Sequence, residues 1–285
     1  MRVVVRPSPI VAPFVESLWY VESHGQGWER VLPSGGMQLL VNLDADELWS
    51  WDTGGIPTLV GGAALEGPRS APVMIDTARL WAMVGVAFRP GGTHPFFTPP
   101  ASAAAGGLVE LAEFWGREGE VLRERLLEVP APAAKLRLLE EALIARAVRP
   151  LVLDRVGAYA VAALDRGVPV KIVADRLGMT SKRFAHSFTA RVGLRPKQFA
   201  RVRRFQRLLF ATFDIDDIDW AGLAVECGYY DQAHMVRDFQ AFSGMNPTSY
   251  APRSEWEHNH VPDTLGADAA ISSNRASAEL SMMSA

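Results

Sequence analysis

Residues 170–252 carry one pattern twice. The first copy is Ala174, Gly178, Phe184, Phe188, Gly193, Pro196 and Phe199, and the second is Ala224, Gly228, Met235, Phe239, Gly244, Pro247 and Tyr250. From Phe184 and Met235 onward the copies are offset by 51 residues, whereas the Ala and Gly positions before them are offset by 50, so the second turn holds one extra residue. A small residue and a glycine four positions apart, then a short polar stretch and apolar residues at helical spacing, is the pattern of a helix-turn-helix. Ala174 and Ala224 let two helices cross closely, and Gly178 and Gly228 supply a left-handed turn that a Cβ would resist.

Charge supports a polyanion partner locally. The whole chain has a formal net charge of -3, but the stretch from Lys182 to Arg207 contains nine Lys/Arg and no Asp or Glu. Whole-chain sums hide such local fields. The alternative for this run is an ordinary solvated charged face.

Each unit divides into predicted elements. Val170 to Leu177 is the first helix of the first unit, and Thr180 or Ser181 caps a second helix running to about Val192. Phe184 and Phe188 mark its buried face, which leaves Lys182, Arg183, His186 and Arg191 toward the exposed side. Lys182 and Arg183 lie in the first turn, where a recognition helix meets base edges and where cations oppose the helix dipole. Pro196 opens a connecting helix from about Lys197 to Phe213, with Arg201, Arg203, Arg204 and Arg207 around an apolar stripe. Asp214, Asp216, Asp217 and Asp219 lack the glycine and terminal glutamate of a calcium loop and read as helix caps. Trp220 to Cys227 begins the second unit, and Asp231 caps a helix running to Ser243. There Met235 and Phe239 face inward, so Gln232, Ala233 and Arg237 face outward. Gln suits an adenine edge and Arg a guanine edge. His234 either meets a phosphate or packs locally.

The first 98 residues read differently. Short apolar runs at Val15–Val21, Met37–Leu43, Leu48–Trp51, Thr58–Val60, Val73–Ile75 and Leu80–Phe88 alternate with glycine pairs, as expected of a small antiparallel β domain, a barrel or a sandwich. Leu108–Trp115, Glu118–Leu127 and Pro132–Val148 have helical composition and either cover the β domain or form a dimer contact. Trp19, Trp28, Trp49, Trp51 and Trp81 are candidates for a ligand pocket, with buried core the commoner fate. His24 and His94 stand far apart in sequence, and neither metal-ligand spacing nor a nucleophile elbow is present. The lone Cys227 excludes an intramolecular disulfide and a cysteine-based zinc site. No catalytic residue, cofactor or metal is expected. With no spanning apolar run and no signal peptide, the reading is a soluble, cytoplasmic protein that is not an enzyme.

Two family resemblances sharpen this. Gly178-Met179-Thr180-Ser181 with Phe184, Phe188, Gly193 and Pro196, followed by Gly228-Tyr229-Tyr230-Asp231-Gln232-Ala233-His234 with Arg237, Phe239, Gly244 and Pro247, resemble the DNA-binding domain of AraC/XylS-type transcriptional regulators. The resemblance implies two recognition helices in successive major grooves, with base contacts at Lys182, Arg183, His186, Gln232, Ala233 and Arg237. Phosphate contacts are expected from Ser181, Arg191, Lys197, Arg201, Arg204, His234 and Thr248. His186 and Ala233 depart from the residues most common in the family. Arg30-Val31-Leu32-Pro33-Ser34-Gly35-Gly36 and Gly85-Val86-Ala87-Phe88-Arg89-Pro90-Gly91-Gly92 are similar to a less characterised, cupin-like sensor domain.

The expected fold class is therefore α+β. Residues 1–150 form a sensor or dimerisation domain, β-rich to about 98 and helical over 108–148. Residues 151–252 form an all-α DNA-binding domain, and 253–285 a disordered tail dispensable for DNA binding. The expected function is sequence-specific transcription regulation, with double-stranded DNA as partner and RNA polymerase, a small-molecule effector and a second copy as candidates. The competing reading is a ligand-binding or enzymatic first half with the helical half as a docking module. A base-repair methyltransferase is disfavoured because Cys227 lies on the inward side of a scaffold helix.

Overall fold

The computed structural model describes residues 1–22, 27–212, 218–254 and 257–263. The first half is built on two antiparallel sheets. One has the order β1 (Arg2–Val5), β2 (Val15–Glu22), β9 (Ala82–Phe88), β4 (Met37–Asn42), β7 (Ala63–Glu66) and β10 (Leu108–Glu110). The other has the order β11 (His260–Pro262), β3 (Trp28–Val31), β8 (Val73–Asp76), β5 (Glu47–Trp51) and β6 (Pro57–Gly61). Alternation along the first sheet sends Leu18, Leu39, Val41, Val84, Val86 and Phe88 to one face. The other face carries Leu40, Ala64 and Met83, which meet Leu48 and Val60 of the second sheet.

Helices α1 (Leu111–Trp115), α2 (Arg117–Glu128) and α3 (Pro132–Ala145) cover the first sheet, their Leu122, Leu126, Leu136, Leu139 and Leu143 sharing its core. Covering the β domain, one of the two roles open to these helices, is thus what the fold uses. Leu108–Glu110, expected to be helical, pairs instead with Leu65 and its neighbours as an edge strand, and the helix begins at Leu111. The sheets also contain β1, β3 and β7, whose alternation is too short or too polar to stand out in sequence.

The second half is helical: α4 (Arg155–Asp165), α5 (Val170–Arg176), α6 (Ser181–Val192), α7 (Pro196–Ala211), α8 (Trp220–Glu226) and α9 (Gln232–Ser243). Gly178 and Gly228 adopt φ 63° and 86°, the left-handed turns the repeat demands. Helix α7 runs through both units. Its Phe199 lies 5.4 Å from Phe188 of α6, and its Phe205 lies 5.3 Å from Phe239 of α9, both measured between ring centroids.

The tail corrects an expectation. Residues 260–262 are not structureless but form β11, pairing with β3, and Val261 is buried in the helical core. A three-residue strand leaves no compositional trace; its order comes from tertiary contacts, including Arg253 and His260 on the buried carboxylate of Glu29 at 2.9 and 3.1 Å. Residues 264–285, together with His24, Asp214, Asp216 and Asp217, lie outside the described residues.

Candidate nucleic-acid interface

Local chemistry sets both candidate reading helices. Thr180 Oγ1 accepts from the Arg183 N–H at 3.3 Å to cap α6, and Asp231 Oδ1 accepts from the His234 N–H at 2.7 Å to cap α9. Asp219 caps α8 in the same way, accepting from Ala221 and Gly222. Phe184, Phe188 and Val192 turn one face of α6 inward; Met235, Asp238, Phe239 and Phe242 do so for α9.

The opposite faces are open. Ser181, Lys182, Arg183 and His186 on α6, and Gln232, Ala233 and Arg237 on α9, are exposed. Lys182, Arg183 and Arg237 have no ion pair among the described residues. Unpaired cations on two capped helices are suited to meet phosphates and base edges.

The basic stripe proves to have two roles. Arg191 pairs with Asp154 at 3.0 Å, Arg203 with Asp165 at 2.8 Å, and Arg207 reaches the same carboxylate at 3.7 Å. Arg201 and Arg204 both pair with Asp238, at 2.6 and 2.9 Å. Those five cations are matched by acids from elsewhere in the chain, and Lys182, Arg183, Arg195 and Lys197 have no ion pair among the described residues. Of the residues expected at phosphates, Ser181, Lys197 and Thr248 are exposed, whereas Arg191, Arg204 and His234 are only partly so. Arg204 lies 4.3 Å over the ring of Tyr229 and donates to the Gly228 carbonyl at 3.3 Å. His234 Nε2 sits 3.2 Å from Arg204, and its ring packs edge-on to Tyr229, which is the local-packing alternative for this residue.

Asp238 is the residue the sequence reading missed. It is 3% exposed and stands on the apolar face between Met235 and Phe242. An acid on the inward side of a helix, facing an arginine-rich neighbour, is the signal that would have found it. Tyr229 is buried, and burial raises its phenol above the ordinary range. Its neighbour Tyr230 is 88% exposed in the turn before α9.

A cleft of about 510 Å³ opens between the two halves. Phe14, Pro90 and His94 line its β-domain wall, and Val161, Phe199 and Arg203 its helical wall. Burial lowers the His94 pKa, and the nearby Arg191 and Arg149 lower it further. Trp28, Trp49 and Trp51 do not line this cleft. They cluster with one another, Trp28 and Trp51 at 4.7 Å between centroids. Among the described residues no group of three or more His, Cys, Asp or Glu is placed to hold a metal, and no helix is long and apolar enough to cross a membrane.

Two short helices crossing before a turn, each followed by a capped helix with an open polar face, define a DNA-binding transcription regulator. Residues 173–253 match a family described as a helix-turn-helix domain, and residues 3–110 match a domain of unknown function (DUF6597). The C-terminal region is thus a helix-turn-helix domain of the AraC/XylS type, preceded by a member of that uncharacterised family. No curated protein matches the chain.

Solved structures of ToxT from Vibrio cholerae are similar at low identity. Apo ToxT from strain SCE256 is 8% identical with a TM-score of 0.44, covering 82% of this chain and 96% of that one. ToxT in its P21 form is 9% identical with a TM-score of 0.41, covering 82% and 96%. The wild-type protein bound to an unsaturated fatty acid is 8% identical with a TM-score of 0.42, covering 87% and 94%.

Proposed function

We propose that α6 and α9 enter successive major grooves on one face of a DNA duplex, held apart by α7. The observation that carries this reading is the pair of exposed, capped helix faces with unpaired Lys182, Arg183 and Arg237. Lys182, Arg183 and His186 read one element; Gln232, Ala233 and Arg237 read the other. Ser181, Lys197 and Thr248 grip phosphates, joined by the outer guanidinium edge of Arg201, whose side chain stays 48% exposed despite its pair with Asp238. The role is regulatory rather than enzymatic, and the bound protein acts on transcription through RNA polymerase.

The N-terminal domain modulates that binding. The cleft between the halves has the size of small-molecule sites, which favour domain boundaries and mix apolar walls with a few polar groups. An effector seated there touches both halves at once, and self-association through the β domain is a second route of control. Selection of bound DNA from a random library with the full chain tests the reading: two enriched elements at a fixed separation support it. Failure to enrich any sequence, with ligand binding retained, favours a ligand-binding protein whose helical half only docks.

A further inference from the structure

The two motifs that mark the N-terminal domain in sequence both turn toward the helical domain. From the segment 30–36, Leu32 is 1% exposed and belongs to the helical core. The Pro33 carbonyl accepts from Gln206 Nε2 at 2.8 Å, and the Ser34 carbonyl from Arg203 Nη1 at 3.2 Å. Gly35 lies where a Cβ would stand 3.4 Å from both Val202 and Arg203. From the second motif, a Cβ on Gly91 would stand 3.3 Å from Arg191 of α6.

The β domain also touches the far end of each reading helix. Arg30 Nη1 donates to the carbonyl of Ser243, the last residue of α9, at 3.1 Å. Gly193, the left-handed cap that ends α6 at φ 86°, sits against Pro68 and the Ala101 carbonyl; a Cβ there would stand 3.1 Å from that oxygen. Gln198 Nε2 reaches Ser70 Oγ at 2.5 Å in the first turn of α7. The C-terminal end of α6, the C-terminal end of α9 and the helix between them therefore all contact the β domain.

We infer that the N-terminal domain sets the separation of the two DNA elements, with Arg30 and Gln206 as positioning residues that never touch DNA. The inference rests on the two-helix reading above. A helix orphans its last carbonyls, so a guanidinium placed on Ser243 both satisfies one and fixes where that end sits. Gln206 is 2% exposed, and its amide also reaches Asn259 Oδ1 at 2.7 Å, so α7 is tied to the 30–36 segment and to the returning C-terminal strand together. Movement of α9 relative to the β domain breaks the Arg30–Ser243 bond, and movement of α7 breaks those of Gln206. An effector in the cleft, whose wall includes Arg203 and Gln206, acts on the same ties.

The test is a library in which the two selected elements are separated by spacers of every length within one helical turn, read with the full chain, Arg30→Met, Gln206→Met and Arg30→Lys. The wild-type chain is expected to prefer one spacing by at least tenfold. Arg30→Met and Gln206→Met are expected to lose that preference while binding a single element unchanged, and Arg30→Lys, which can still donate to Ser243, to retain it. If wild type enriches only one element, the two-helix reading itself fails. If wild type shows a fixed spacing and both methionine variants keep it, or weaken all spacings equally, the positioning role is wrong. Thermal melting of each variant separates lost fold from lost spacing, and the two variants sit on opposite sides of the interface, so one unstable protein does not remove the test.

Discussion

Asp238 of α9 accepts from Arg204 of α7 at 2.9 Å, at a site where the acid is 3% exposed. The pair joins α9 to α7, and Arg201 completes it at 2.6 Å on the other oxygen. Arg204→Ala removes a charge-assisted hydrogen bond and a cation–π contact while leaving Asp238 with Arg201 at 2.6 Å and His234 at 4.0 Å. The expected loss is about 2–3 kcal/mol of stability. Urea unfolding checks the magnitude, and a salt titration of DNA binding is expected to show an unchanged slope. A slope reduced by about one unit would put Arg204 on a phosphate after all.

Lys197 and Arg237 separate grip from reading. Lys197 is exposed at the start of α7 and unpaired among the described residues, so Lys197→Ala is expected to weaken all sequences alike and lower the salt slope by about one. Arg237→Ala is expected to cost about 1–3 kcal/mol on the selected site and to relax preference at one base pair. Competition binding with selected and random duplexes distinguishes the two. Equal losses on both duplexes for Arg237→Ala would sink its assignment to a base edge.

The two capped helices and their exposed faces were legible because they follow from local rules. Caps at Thr180, Asp219 and Asp231, turns at Gly178 and Gly228, and the helical spacing of Phe184–Phe188 and Met235–Phe239 each need only a few neighbouring residues. What sequence left hidden is long-range. Arg191 and Arg204, both expected at phosphates, have acid partners on other elements, 37 residues away for Arg191–Asp154 and 34 for Arg204–Asp238, which no local pattern reveals. The tail strand His260–Pro262 and the insertion of Leu32 into the helical core were invisible for the same reason. Each is specified by the partner surface rather than by its own pattern.

Cys227 is 6% exposed on α8's inner side, and burial raises its thiol pKa above the ordinary value. A thiol held protonated and covered is a poor nucleophile. Labelling of the native chain at neutral pH is expected to be slow and to accelerate with urea along the unfolding transition. Rapid modification of the folded protein would contradict the scaffold role and reopen thiol chemistry.

Acid is expected to loosen the domain interface through His258. Burial is the main cause of its pKa falling from 6.5 to about 4, with His260 and Arg203 adding like charge. Since Gln206 spends its amide donors on Pro33 and Asn259, the neutral ring donates from Nε2 to Gln206 Oε1 at 3.1 Å. Between pH 6.5 and about 4 the unfolded chain takes up a proton that the folded chain refuses, so this contribution is complete above 6.5 and is lost as pH falls through that window. Melting temperatures measured at neutral pH and near pH 5 are expected to fall more for wild type than for His258→Gln. Parallel pH profiles for the two proteins would assign the acid sensitivity elsewhere.

Leu32 tests whether the two halves are separable. It lies in the β-domain segment but is 1% exposed, within a cluster otherwise made by Phe199, Val202, Phe205 and their helical neighbours. Truncating a buried leucine leaves a cavity and costs about 2–5 kcal/mol. If the helical domain were an independent reading unit, Leu32→Ala would unfold the β domain first and leave α7's surroundings intact. Because Leu32 fills the helical core, the expected result is the opposite: hydrogen exchange of amides in 199–209 accelerates in the variant at least as much as exchange in β4 and β9. The fragment 151–252 alone lacks both Leu32 and β11, and is expected to bind the selected DNA more weakly than the full chain at equal salt. Equal affinity and equal amide protection in the fragment would show that the DNA-binding domain completes its own core.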